Sequence, residues 1–324
     1  MNHVKKDTIA GIFEACPMRL ELTTSGFGGQ HSIQLSYGHK SQRLFYHSCY
    51  NNAMKKRAEN IKMIVCDVDN TIIPSGYDAM SRRTANVFKK AMDKGIRVVL
   101  NTGRHYTFLQ ESLFDDLPLD LIGTINGACV VKRDGTIVES HQMSEANMNT
   151  ITDICIAHDI GLGFKFADAI VTYANHDKFV DGYVGKDSPN YHKVINDTKN
   201  RIYHEKHGYP LGTFLIGDET IIEPFNQIIP DLKFAWSYKD GYDVFLKSVN
   251  KATSIDRILK EYDLKWENVI GFGDAGNDTA FIEKSGIGVA MGNAKDDVRA
   301  HCDLVAPTCL EDGVASVLEE LEIV

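Results

Sequence analysis

A chain of 324 residues is long enough for two domains. With 43% hydrophobic and 24% charged residues it has the composition of a soluble globular protein, and no run of about 18 apolar residues offers a transmembrane helix. A formal net charge of −9 argues against a non-specific nucleic-acid binder.

Residues 1–60 stand apart. They hold eight Lys/Arg and four Asp/Glu, a net charge of +4, which leaves −13 for residues 61–324. Lys5 and Lys6 precede an apolar stretch, but Asp7 and Glu14 interrupt it and no small-residue cleavage site follows, so a signal peptide is not expected. The seven cysteines show no C-x-x-C pair; Cys66 and Cys129 lie in apolar runs and read as small core residues of a reducing compartment.

From residue 61 the pattern is one of βα units. The apolar run Met63–Cys66 reads as a buried strand and leads into Asp67-Val68-Asp69-Asn70-Thr71. Carboxylates two residues apart leave an extended backbone on the same side. They stand at the carboxyl end of a strand, where open α/β sheets bind ligands. Two acids this close repel unless a cation lies between them or one holds a proton. Ser81 to Lys94 reads as a helix with Ser81 as N-cap, Gly95 as its stop, and Ala85, Phe88, Ala91 and Met92 as its buried face.

The β-branched run Ile96–Leu100 ends in Asn101-Thr102-Gly103-Arg104. Between Arg104 and Lys251 lie 146 residues, far more than one crossover needs, so a second domain is expected at 143–242. Within it, Glu145–Ile160 reads as a helix, Ala169–Tyr173 and Phe214–Ile216 as strands, and Asp181–Tyr191 as a loop. Lys251 opens an amphipathic helix. The run Val269–Phe272 ends in Gly273-Asp274-Ala275-Gly276-Asn277-Asp278, and a helix near Val314–Leu321 closes the chain. The twelve histidines form no zinc-like pattern.

These pieces, D-x-D-x-T, T-G-R, K and G-D-x-x-N-D in that order, resemble the four motifs of the haloacid dehalogenase (HAD) superfamily. Asn126-Gly127-Ala128 and Met291-Gly292-Asn293-Ala294 resemble its Cof-like subfamily, which carries a type IIB cap. The resemblance covers roughly residues 61–324. Asn70 departs from it, since the family usually has Gly there, and residues 1–60 have no counterpart. That extension reads as a poorly ordered tail, an added interaction segment, or the product of a start codon placed too early.

The resemblance implies an α/β fold: a Rossmann-like, doubly wound parallel core sheet (61–142 and 243–324) with an inserted α+β cap (143–242). It implies a Mg²⁺-dependent phosphatase acting on small phosphorylated metabolites of the sugar-phosphate or nucleotide/cofactor type. Asp67 would be the nucleophile that becomes an aspartyl-phosphate. Asp69 would be general acid and then base, with its backbone carbonyl on the metal. Asp67 and Asp274 would supply the metal's carboxylates, and Asp278 would bind the metal's waters or the metal itself. Thr102, Gly103 and Lys251 would hold the phosphate. Arg104, Asn126 and Asn277 would lie toward the substrate, with Asn277 also steadying its turn and Asn293 a weaker candidate. In the cap, Phe164, Lys165, Phe166, Tyr183 and Lys186 are candidates by residue type alone. A small-molecule phosphate ester is the expected partner, with no nucleic acid or membrane, and the cytoplasm is the expected location. A phosphotransferase or phosphomutase, or a catalytically idle regulator, remains open. A dehalogenase would lack Asp69, and an ion pump would need membrane helices.

Overall fold

The computed structural model describes residues 52–324, so what was expected of residues 1–51 lies outside it. Fourteen strands occur among the described residues. Five come first: β1 Met63–Cys66, β2 Arg97–Asn101, β3 Leu121–Thr124, β4 Cys129–Lys132 and β5 Ile137–Ser140. Six follow: β6 Gly161–Lys165, β7 Ile170–Ala174, β8 Val194–Asn196, β9 Gly212–Ile216, β10 Leu232–Tyr238 and β11 Gly241–Leu246. The last three are β12 Val269–Gly273, β13 Ile287–Ala290 and β14 Leu304–Val305.

They form two sheets. One has the order β14-β13-β12-β1-β2-β3-β4-β5; the other has the order β10-β11-β9-β6-β7-β8. In the first, β14 through β3 run parallel and the hairpin strands β4 and β5 add an antiparallel edge. The second is antiparallel except where β8 joins β7.

β1 sits at the centre, between β2 and β12, and all four of its residues are buried. Met63 and Val65 pack into one apolar cluster with Ala252, Ile255 and Phe281. Ile64 and Cys66 pack into another, with Phe88, Ala91 and Leu318. Helices thus cover both faces, and for that reason the strand reads as continuous rather than alternating hydrophobicity. Helix Arg82–Asp93 is capped by Ser81, whose hydroxyl accepts the Thr84 amide at 3.0 Å, and Gly95 ends it at φ +81°. All five described cysteines are buried.

Three expectations are corrected. Residues 52–58 are helical, and Met54 and Ala58 are buried in the main core cluster, so the end of the 1–60 extension is packed structure. Asp181–Tyr183 form the last turn of helix His176–Tyr183 rather than a loop. Their Gly and Asp suggest a turn, but Phe179 and Val180 anchor the helix, and Gly182 lies so close to Ile216 that a Cβ would come within 2.9 Å of its side chain. Helix Glu145–Ala157 stops three residues before Ile160, because Asp159 takes φ +52° and turns the chain into β6. In addition, β11 carries the second sheet to Leu246, four residues past the boundary read from the sequence.

No helix among the described residues is long and apolar enough to cross a membrane.

Candidate active site

β1, β2 and β12 lie side by side and parallel, so their carboxyl ends open onto one edge of the sheet. Asp67 follows β1 directly, Thr102 follows β2, and Asp274 follows β12. The fourth component arrives from the start of helix Lys251–Glu261. That start is fixed twice. Asn250 and Thr253 form a capping box, and Asn101, fully buried, donates to the Lys251 carbonyl at 2.8 Å. Gly127 is required here: at φ +93° it lies against Asn250, where a Cβ would fall 1.9 Å from the carbonyl oxygen.

Lys251 is 1% exposed, and its ammonium lies 2.5 Å from Asp67 Oδ1 and 2.6 Å from Asp278 Oδ1. Burial pulls its pKa down, but Asp278 and Asp67 raise it more, so the ammonium stays charged. Asp67, Asp274 and Asp278 each offer an oxygen within 4.8 Å of one another. Burial raises the pKa of Asp274 to about 6, helped by Asp278 and opposed by the Thr71 hydroxyl, which donates to its Oδ1 at 3.0 Å. Three crowded carboxylates beside one buried lysine leave negative charge uncompensated, and hard oxygen donors of this kind suit Mg²⁺.

The turn after β12 is shaped by Asp278, whose Oδ2 accepts the amides of Asp274 at 3.0 Å and Ala275 at 2.9 Å. With Oδ1 on Lys251, both of its oxygens are engaged. Asn277 donates to Asn126 Oδ1 at 2.8 Å. Asn126 is 3% exposed and left-handed (φ +54°), and it braces the turn after β2: a Cβ on Gly103 would lie 2.9 Å from its Oδ1. Asn293 donates to the Asn70 carbonyl at 2.9 Å and approaches Asp274 Oδ2 at 3.5 Å.

Asp69 and Arg104 face each other across the mouth of the site. Arg104 Nε and a terminal guanidinium nitrogen donate to the two Asp69 oxygens at 2.8 and 2.7 Å, a bidentate pair. Both side chains keep solvent exposure, 36% for Arg104 and 46% for Asp69.

Asn70 adopts φ +60°, the left-handed conformation that glycine enters freely and asparagine tolerates, and its Oδ1 accepts the Ser75 amide at 3.0 Å. The departure from Gly is thus conformationally conservative. Asn70→Ala should cost about 1 kcal/mol and Asn70→Gly a few tenths, read by thermal or denaturant unfolding.

Of the cap candidates, Phe164 and Phe166 are buried in the cap's apolar core. Lys186 pairs with Asp181 on the surface. Tyr183 packs edge-on against Phe108 of the core, 5.7 Å between ring centres. Lys165 is buried and touches the turn after β2.

Sequence reasoning missed His105, although it stands next to Arg104. Its ring is 1% exposed; Nε2 donates to the Phe166 carbonyl at 2.8 Å and Nδ1 accepts the Thr107 amide at 3.2 Å. The ring is neutral in this arrangement. Burial, opposed by the bond to Phe166, brings its pKa down from 6.5 to about 4. The unfolded chain therefore takes up this proton near pH 6.5 and the folded chain only near pH 4. Stability is intact above 6.5 and falls between the two values, by up to about 3 kcal/mol. His105→Gln should flatten this part of the melting-temperature profile between pH 7 and 4.5.

The comparisons with known proteins first define a class. The family model for haloacid dehalogenase-like hydrolases matches residues 64–318. The chain belongs to this family. It is 26% identical over 269 residues to the 5-amino-6-(5-phospho-D-ribitylamino)uracil phosphatase YcsE of Bacillus subtilis, covering 82% of this chain and 98% of that one. Its fold matches that of the phosphatase BT1666 from Bacteroides thetaiotaomicron with a TM-score of 0.71 at 24% identity, over 82% of this chain and 96% of the other. It matches the HAD subclass IIB sugar phosphatase BT4131 with a TM-score of 0.71 at 22% identity, over 81% and 100%.

Proposed function

We propose that this enzyme is a Mg²⁺-dependent phosphatase that hydrolyses small phosphorylated metabolites through a phosphoryl group carried on Asp67. The observation that supports this most is the Lys251 ammonium set between Asp67 and Asp278, with Asp274 close by. A phosphate monoester resists attack because its oxygens repel an incoming anion. In this reading the site meets that repulsion with fixed positive charge and aligned donors.

Asp67 attacks phosphorus and the ester P–O bond breaks, leaving an aspartyl-phosphate. Asp69 gives its proton to the departing alcohol oxygen. It then takes one from the water that attacks the aspartyl-phosphate, and this second step frees phosphate and restores Asp67. The Thr102 hydroxyl and the Gly103 amide donate to the phosphoryl oxygens, and Lys251 holds them as a point charge. Arg104 must turn from Asp69 before that carboxyl can reach the leaving oxygen, and its exposure leaves room to move to a substrate oxygen. Asp67 and Asp274 would supply carboxylates for Mg²⁺, together with the Asp69 carbonyl. Asp278, with both oxygens engaged by Lys251 and the turn amides, would support that ligand set from behind. Bound there, Mg²⁺ would supply charge neutralisation for Asp67 and the phosphate.

Asn126 and Asn277 hold each other and the turns around the phosphate, so their effect on substrate is through positioning. The cap decides which leaving group is admitted. One relative is named for a ribitylaminouracil phosphate and a neighbour in fold for sugar phosphates, which supports sugar-phosphate or nucleotide-like esters as the class. The test is phosphate release from sugar phosphates, nucleotides, pyridoxal 5′-phosphate and p-nitrophenyl phosphate, with Mg²⁺ and with EDTA. Turnover with Mg²⁺ and none with EDTA is the expected result; metal-independent turnover would overturn the reading.

A further inference from the structure

One buried cation is not used by this chemistry. Lys165 ends strand β6 of the cap sheet, in a run where every residue is buried. Its side chain is 3% exposed, and its ammonium donates to the Gly103 carbonyl at 3.0 Å and to Asp243 Oδ1 at 2.7 Å. Asp243 belongs to β11, two strands away in the same sheet. The rings of Phe214 and Tyr183 lie 5.6 and 6.0 Å from the ammonium and close it in.

The accepting carbonyl belongs to the turn assigned to phosphate binding. In that turn the Thr102 carbonyl accepts the Asn126 amide and the Arg104 carbonyl accepts the Ile125 amide, both within the core. The Gly103 carbonyl faces the cap instead. A second bridge of the same kind lies beside it: His105, two residues after Gly103, donates from Nε2 to the carbonyl of Phe166, the residue after Lys165, at 2.8 Å. A surface lysine gains little from such contacts. A buried one must offset its desolvation through its partners, so it is held in one geometry.

We propose that Lys165 is a positioning residue that couples the seat of the cap to the phosphate-binding turn. It fixes the Gly103–Arg104 peptide, and with it the neighbouring Gly103 amide, only while the β6 end of the cap rests on the core. Asp243 holds the ammonium in line from within the cap. This rests on the phosphate-binding reading of Thr102 and Gly103 for its effect on catalysis, but not for the mechanical link itself.

The test uses the full chain with Lys165→Met and the double variant Lys165→Met/Asp243→Asn. The single change leaves the half-buried Asp243 carboxylate, 18% exposed, without its cation and lowers the melting temperature; the second change removes that charge and should restore it. The link predicts that activity does not return with stability. In the double variant, kcat with p-nitrophenyl phosphate and with a sugar phosphate falls by a similar factor, about tenfold or more, and the inhibition constant of orthophosphate rises likewise. Hydrogen exchange read by mass spectrometry should quicken about tenfold in the peptide spanning 101–108 and stay unchanged in β12. Recovery of kcat and slow exchange together with melting temperature would reduce Lys165 to a structural ion pair and overturn the proposal. A loss confined to one leaving group would also overturn it, by making Lys165 a reader of substrate. If the unaltered protein releases no phosphate from any ester, the phosphatase reading fails, and the exchange rates alone decide the link.

Discussion

Asp67→Asn is expected to abolish phosphate release, a loss of at least about 10⁴-fold, in a protein that melts at a higher temperature than the unaltered enzyme in metal-free buffer. The first half follows from the proposed role of Asp67, since an amide replaces the carboxylate oxygen that would attack phosphorus. The second follows from where Asp67 sits. Burial raises its pKa well above the carboxylate range, and Asp278, Asp274 and Asp69 raise it further, against the lowering effect of Lys251. A carboxyl whose folded pKa lies above its unfolded one supports folding below the unfolded value and loses that support as pH rises through the folded value. A carboxyl raised in this way makes the metal-free fold lose stability as pH rises, and asparagine, which does not titrate, removes that loss. Added Mg²⁺ should raise the melting temperature of the unaltered protein more than that of the variant, because only the former offers the full carboxylate set. Equal melting temperatures with equal Mg²⁺ shifts would show that Asp67 is neither strained nor part of the metal site, whatever happened to activity.

The parts of this site that could be read in the sequence are those where two signals coincide in a few residues. A continuous apolar run says a strand is buried on both faces, and the acids or hydroxyl that follow mark its carboxyl end; Asp67, Thr102 and Asp274 were visible in that way. Lys251 was visible by its place at a helix start. What holds these groups was not visible. Asn101 looks like the last residue of a strand, yet its amide fixes the carbonyl of Lys251 across 150 positions. Lys165 looks like the polar end of an apolar strand, and its partner Asp243 lies 78 positions on. Neither link leaves a local period or spacing. Asp181-Gly182-Tyr183 misleads for the converse reason: its composition favours a turn, and packing against Ile216 overrides that preference. The hairpin β4–β5 escaped because Ile137–Ser140 is short and half-exposed, and pairing with β4 settles its conformation.

Lys251→Met should be the most destabilising single change at this site. Its ammonium pairs with two carboxylates that are 8% and 0% exposed, and no bulk water can replace it. Removing one partner from a buried ionic cluster costs about 3–5 kcal/mol, since the stranded charges pay desolvation with nothing in return. For a domain of this size that is a fall in melting temperature of about 10 °C. Turnover should fall by at least about 10³-fold, because the same nitrogen would hold the phosphate and orient Asp67. Two controls separate these effects. Mg²⁺ should recover part of the lost stability by drawing the stranded carboxylates to itself. Lys251→Met/Asp278→Asn should recover more, since Asp278 then needs no counter-charge and its amide oxygen can still accept the Asp274 and Ala275 amides that form the turn. Neither should recover turnover. A Lys251→Met protein that melts like the unaltered one would mean that Asp67 and Asp278 shed their charge by taking up protons, and the ammonium would then be a phosphate ligand without a structural share.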